Sequence, residues 1–191
     1  MKLSKNLILA SNSPRRKQIL FDAGFEFTIS VKEIDESFPI EMLVIEVAEY
    51  LAIKKAKSFL NEIGDNIVLT ADTIVAIEGE ILNKPANETE ATVMLKKLSG
   101  RKHLVHTGVC ILTKNGQESF LDTTEVYFKP LTKNEIKYYI KACKPFDKAG
   151  AYGVQDFIGM IGIDKIEGSY FTVMGLPIHK VYKALEKYIM F

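Results

Sequence analysis

The stretch over residues 103–129, HLVHTGVCILTKNGQESFLDTTEVYFK, constrains the fold of this chain more than any other. Two long runs rich in β-branched and aromatic residues flank Asn115-Gly116, the pair favoured in a tight hairpin turn because its central positions need positive φ. A long antiparallel hairpin in the second half breaks strict strand–helix alternation, so a doubly wound parallel sheet does not fit. Elsewhere helices and strands mix. Residues 6–10 (NLILA) read as a buried strand, followed at once by a helix over about 14–23 with Gly24 as its C-terminal cap. A short strand over 26–30 precedes a longer helix over about 40–60, with Val44, Val47, Ala48 and Leu51 at helical spacing. Residues 66–82 read as a strand, a tight turn at Glu78-Gly79 and a return strand. Asn87 with Glu90 three residues on opens a helix that stops at Gly100. After the hairpin come a helix (about 133–142), a Gly-rich loop (147–155), two strands within about 159–173 and a final helix over 177–188. The pattern predicts an α/β (mixed α+β) fold, a mixed sheet with helices around it, in one domain over 1–191.

With 47% apolar residues in 191, the chain is long enough for a full core. Its formal charge of +1, with both signs interspersed, argues against a general nucleic-acid or membrane-surface binder, while local basic clusters remain able to hold a small anion. Cys110 and Cys143 lie in unrelated segments without metal-ligand spacing, which suits a reducing cytosol. The apolar run at residues 7–10 is too short for a signal-peptide core or a membrane span. A soluble, cytoplasmic protein is the expectation.

Six places along the chain have the residue types for chemistry. In SNSPRR (11–16), Ser13 is a good N-cap and Pro14 suits the first helical position, so Arg15 and Arg16 fall in the first turn. Cations are disfavoured there by the helix dipole, whereas the free amides suit an oxyanion. Either an anion binds, or both arginines point into water. Asp72 and Thr73 interrupt an apolar run that should be largely buried: a metal-binding or general-base aspartate at a cleft, or an aspartate on the solvent face of an edge strand. Lys54 lies near the apolar stripe of its helix, and either snorkels outward or aims into a polar pocket. Lys84, held extended before Pro85, is on local grounds a loop lysine. Glu33, Asp35 and Glu36 form a carboxylate cluster that suits Mg²⁺ or is only a solvated turn. In PFDKAGAYGVQD (145–156), small residues allow close backbone approach to a ligand, while Asp147, Lys148, Tyr152 and Gln155 offer charge, a stacking surface and an amide. His103 and His106, three apart in a strand, face opposite sides and make a poor ligand pair.

In order along the chain, LASNSPRR, IDE, ADTIV, NKP, LSGRKHLVHTGV, DKAGAYGVQ and GSYFTVMGLP resemble the Maf family of nucleoside triphosphate pyrophosphatases, over residues 7–177. The last two resemble the branch that prefers dTTP and UTP. The resemblance implies a Maf/ITPase-like elongated mixed sheet flanked by helices, two lobes with a central cleft, and often a homodimer. It also implies hydrolysis between the α- and β-phosphates of a nucleoside triphosphate substrate with a divalent metal cation (Mg²⁺ or Mn²⁺). By motif match, Asp72 is the proton acceptor that activates water and a metal ligand, and Glu36 helps hold the metal. Ser11, Ser13 and Arg16 bind phosphate, Lys54, Lys84 and Lys148 neutralise charge, and Arg15, Thr73 and Gln155 distinguish substrates. A triphosphate carries roughly four negative charges, which a helix N-terminus, arginines, lysines and a metal together offset. One position departs from the pattern: the family commonly has glycine after the glutamine, and Asp156 stands there, where a carboxylate would crowd or repel a ligand. Two alternatives accompany this reading: the same reaction on another base, such as inosine or a methylated purine, and a non-hydrolysing nucleotide-binding regulator of septum formation.

Overall fold

The structure is a computed structural model and describes residues 1–190. Its elements are β1 (Lys2–Leu3), β2 (Leu7–Leu9), α1 (Pro14–Asp22), β3 (Thr28–Ile29), α2 (Val44–Lys57), β4 (Ile67–Ile77), β5 (Glu80–Leu82), α3 (Glu88–Leu98), β6 (Lys102–Thr113), β7 (Gly116–Phe128), α4 (Lys133–Cys143), α5 (Phe157–Gly162), β8 (Ile163–Glu167), α6 (Tyr170–Val173), α7 (Ile178–Leu185) and β9 (Ile189–Met190). A seven-stranded mixed sheet runs in the order β3-β2-β4-β6-β7-β8, with β5 paired to β4. β2 is parallel to both β3 and β4, with Leu9 opposite Ile29 and Leu69; β4–β5 and β7–β8 are antiparallel.

The local signals act as their chemistry requires. The Ser13 hydroxyl caps α1 by accepting from the Arg16 amide, and Asn87 does the same for Glu90 on α3. α4 opens on a reciprocal capping box between Thr132 and Glu135. The β6–β7 hairpin turns over Lys114-Asn115, one residue earlier than expected, and Gly116, at φ 131°, opens β7.

Three elements differ from the sequence expectation. α2 begins at Val44, four residues later than about 40, because residues 38–41 are exposed and the buried face starts only at Val47. The segment over 159–173, read as two strands, forms α5, β8 and α6. The run Phe157-Ile-Gly-Met-Ile-Gly162 fits a short helix as well as a strand. Gly159 decides it, pressing so close to the Val154 carbonyl that a Cβ would lie 2.3 Å from that oxygen. The pair β1–β9, with Leu3 opposite Ile189, has strands too short to show any period.

The chain divides into two compact units. The first comprises Met1–Asp72, Thr107–Asp122 and the segment from Gly175 on. Its core includes Ala10, Ala52, Ala56, Phe59, Val68, Cys110 and Leu112, with α2 laid on the sheet. Gly108 of β6 lets the α2 backbone approach closely: a Cβ there would stand 2.3 Å from the Ala48 carbonyl carbon and the Glu49 Cα. Thr70 of β4 donates its hydroxyl to the Ala52 carbonyl at 2.7 Å, a second tie between α2 and the sheet.

The second unit comprises Thr73–His106 and Thr123–Met174. Val75, Leu95, Leu98, Val126, Phe128, Tyr139, Tyr152 and Ile158 lie in its core. Tyr152, expected to offer a stacking surface, is buried edge-on to His103 and Phe128 and bonded to His103 Nε2 at 2.7 Å. The correction has a simple cause, since a large ring beside small residues packs inward when an apolar neighbour is available. Burial pulls the His103 pKa down to about 3.

Candidate active site

In the first unit, the chain leaves β2 at Leu9 and reaches the start of α1 through Ala10 and Ser11, both buried. Ser11 Oγ accepts from the Ser13 amide at 3.2 Å and from Arg16 Nη1 at 3.3 Å. Arg16 Nε donates to the Gly175 carbonyl at 2.7 Å. The guanidinium is therefore held, and the reading in which Arg16 simply points into water is wrong. Burial draws the Arg16 pKa below its ordinary value; Asp72 and Glu36 oppose that fall, and Arg15 adds to it. Nearby carboxylates thus offset part of the cost of a first-turn cation at Arg16, which the helix dipole disfavours by up to about 1 kcal/mol.

Asp72 stands on β4, between β2 and β6, so it is not on an edge strand. Its side chain is 14% exposed, and its Oδ1 accepts from Lys55 Nζ at 2.5 Å. The same ammonium lies 2.9 Å from Glu36 Oε1. Lys55 joins the two carboxylates that the resemblance names, and sequence reasoning had passed over it. The signal was present: Val47, Leu51 and Lys55 follow one another at four-residue steps along the buried stripe of α2.

Lys54 takes another direction, because successive helical residues point about 100° apart. Its Nζ is 2.9 Å from the Ser37 carbonyl and 3.3 Å from Asp35 Oδ2, and has no bond to Asp72. Ser37, through its hydroxyl and then its amide, draws the Asp35 pKa down, and Lys54 adds to this. Of the acidic cluster over 33–36, Glu36 goes to Lys55 and Asp35 to Lys54 and Ser37.

In the second unit, Thr73 follows Asp72 on β4. Lys84 is exposed in the loop after β5. The Gly150 amide donates to the Asn83 carbonyl at 3.2 Å, tying that loop to the Gly-rich segment. Gly150, at φ 68°, meets Val75, where a Cβ would lie 2.9 Å from Cγ1. At this glycine the close approach is to the protein's own strand. Lys148 has a side chain 12% exposed, with Nζ 2.8 Å from Asp147 Oδ1 and 3.6 Å from Asp156 Oδ2. The Asp156 carboxylate, expected to crowd a ligand, is engaged by Lys148 and by the Tyr139 hydroxyl at 2.8 Å. Gln155 Oε1 is buried without a hydrogen-bond partner, an acceptor that an incoming donor would satisfy.

The residues fit a divalent cation. Two carboxylates, Asp72 and Glu36, converge on one positive charge, and hard oxygen donors suit Mg²⁺ or Mn²⁺. Among the described residues no group of three or more His, Cys, Asp or Glu side chains is placed to hold a metal. Mg²⁺ commonly takes one or two carboxylates and completes its shell with water and phosphate oxygens, so a pair suffices.

Comparison with known proteins identifies the family. The family model described as Maf-like protein matches residues 6–188. A dTTP/UTP pyrophosphatase of Cytophaga hutchinsonii is 48% identical over 182 residues, covering 95% of this chain and 84% of that protein. Those of Phocaeicola vulgatus and Bacteroides thetaiotaomicron are 47% and 44% identical, each covering 95% of both chains. The alignment to a solved structure, the Staphylococcus aureus Ham1 protein, covers 65% of this chain and 72% of that one at 13% identity and a TM-score of 0.46. The family match spans nearly the whole sequence: the chain belongs to the Maf family.

Proposed function

We propose that this protein is a nucleoside triphosphate pyrophosphatase that hydrolyses dTTP and UTP to the nucleoside monophosphate and pyrophosphate. One structural observation carries the chemistry: a mostly buried aspartate on a central strand is paired with Lys55, whose ammonium also holds Glu36. Three relatives named dTTP/UTP pyrophosphatase, at 44–48% identity, support the substrate class.

In this reading Asp72 accepts the proton of the attacking water, and the bond between the α- and β-phosphates breaks. Asp72 and Glu36 hold the divalent cation, which when bound supplies positive charge to the phosphate oxygens. Ser11, Ser13 and Arg16 bind phosphate at the start of α1, where amides and guanidinium both favour an oxyanion. Lys55 joins Lys54, Lys84 and Lys148 among the cations that offset charge, and its contact with Asp72 gives it the first claim on the reacting group. Arg15, Thr73 and Gln155 select the nucleotide, with the unpartnered Gln155 oxygen supporting recognition of a base donor. The enzyme acts in the cytoplasm, as a homodimer, to remove unwanted or modified nucleotides. Two free cysteines agree with a reducing compartment, and no described helix is long and apolar enough to cross a membrane.

Pyrophosphate release over a panel of pyrimidine and purine triphosphates, with and without Mg²⁺ or Mn²⁺, tests the proposal. Highest kcat/KM on dTTP and UTP, lost on chelation, is the expected result. A panel led by ITP or a methylated GTP would transfer the activity to another base. Tight binding with no product after long incubation would favour the regulator and refute hydrolysis.

A further inference from the structure

Asp156 occupies the N-cap position of α5, where an aspartate ordinarily turns its carboxylate onto the helix amides. Here no cap bond forms. Oδ2 instead accepts from the Tyr139 hydroxyl at 2.8 Å and faces Lys148 Nζ at 3.6 Å. Tyr139 is fully buried on α4, and its oxygen accepts from the Gly153 amide at 3.1 Å. The carboxylate reaches this place because residue 153 has no side chain: a Cβ there would lie 2.6 Å from Oδ2. Burial, followed by Asp156, pushes the Tyr139 hydroxyl far above its ordinary pKa, so it stays a donor. A core tyrosine, a loop amide, an inward carboxylate and a shielded ammonium are thereby linked, from α4 to the loop over 147–156.

Resting on the proposed function, in which Lys148 meets the triphosphate, we infer that Asp156 is a positioning residue for Lys148, anchored by Tyr139. The ammonium is set in place before substrate arrives, and less side-chain freedom is lost on binding. Asp156→Asn keeps an acceptor for Tyr139 and removes the charge that faces Lys148.

Two measurements on the full chain test this, with melting curves of each variant showing that it folds. The first is a double-mutant cycle on pyrophosphate release. Asp156→Asn should raise KM for dTTP about fivefold with kcat within about twofold, and add nothing further in a Lys148→Met background. An equal rise in both backgrounds, no rise, or a lowered KM would overturn the inference, the last meaning that the carboxylate merely competes with phosphate. The second needs no turnover: trace acetylation with acetic anhydride, read by mass spectrometry at Lys148. Labelling should increase about twofold or more in Asp156→Asn, since the amine then keeps only its pair with the exposed Asp147, and unchanged labelling would overturn the inference. Absence of turnover on every triphosphate would refute the proposed function, and the labelling would still decide whether Asp156 holds Lys148.

Discussion

Arg16 in the first unit and Lys148 in the second are both cations drawn largely out of water beside carboxylates, yet they are held by different means. Arg16 rises from a capped helix start and is fixed by a serine hydroxyl and a backbone carbonyl, with the carboxylates of Asp72 and Glu36 in its field. Lys148 sits in a loop and is held by ion pairs alone, to Asp147 and Asp156. Regular elements fix the first cluster, so its geometry belongs to the scaffold. The second depends on a loop whose conformation is fastened at Gly150 and Gly153. The placement of the first is carried by regular elements, and that of the second by the side chains that hold its loop.

The contrast can be broken at several points. The largest effect should come from Asp72→Asn, which removes the proposed base while keeping the side-chain shape: kcat should fall by about 10³-fold or more, with the fold retained. Wild-type pyrophosphate release from that variant would remove Asp72 from the mechanism. Next, Lys55→Met should lower kcat/KM by roughly a hundredfold, because truncating one partner of a shielded pair leaves the other uncompensated. The sharper half of that test is its neighbour. Lys54→Met should cost about threefold or less, since its partners Asp35 and the Ser37 carbonyl are exposed and exposed pairs contribute little. Equal losses at the two positions would erase the distinction the structure draws between them.

A smaller effect concerns stability in the second unit. His103 is neutral in the folded state down to about pH 3, whereas the unfolded chain protonates it near its ordinary value of 6.5. The unfolded chain therefore binds the extra proton within that window. Stability present above 6.5 is lost as pH falls toward 3, by up to about 1.4 kcal/mol per pH unit. Urea titrations across that range should show a shallower pH slope in His103→Gln, and an identical slope would mean that His103 takes no part.

Features that depend on near neighbours were the legible ones. The long hairpin around Asn115, the Ser13 and Asn87 caps and the turn at Glu78-Gly79 all rest on a few adjacent residues. The unusual start of α1 was visible as a conflict between Arg16 and the helix dipole, although the opposing charge of Asp72 comes from a strand more than fifty residues away. Lys55 was obscured because the apolar stripe of α2 runs past two adjacent lysines, and only the packing depth of the helix tells which one turns inward. Nor could the sequence order reveal that β4 is a central strand, or that Asp156 would choose Tyr139 over its own helix. Both choices depend on contacts between distant segments.

Gly108 bears on all of this without any chemistry of its own. Because α2 rests on β6 at that bare Cα, the helix sits at a height fixed by the lack of a single methyl group. Lys55 rides on the same helix. A side chain at 108 would act as a wedge beneath α2, lifting the ammonium away from Asp72 while leaving every charged residue in the sequence intact. The reach of the lysine is thus written into a position that no inventory of reactive groups would include.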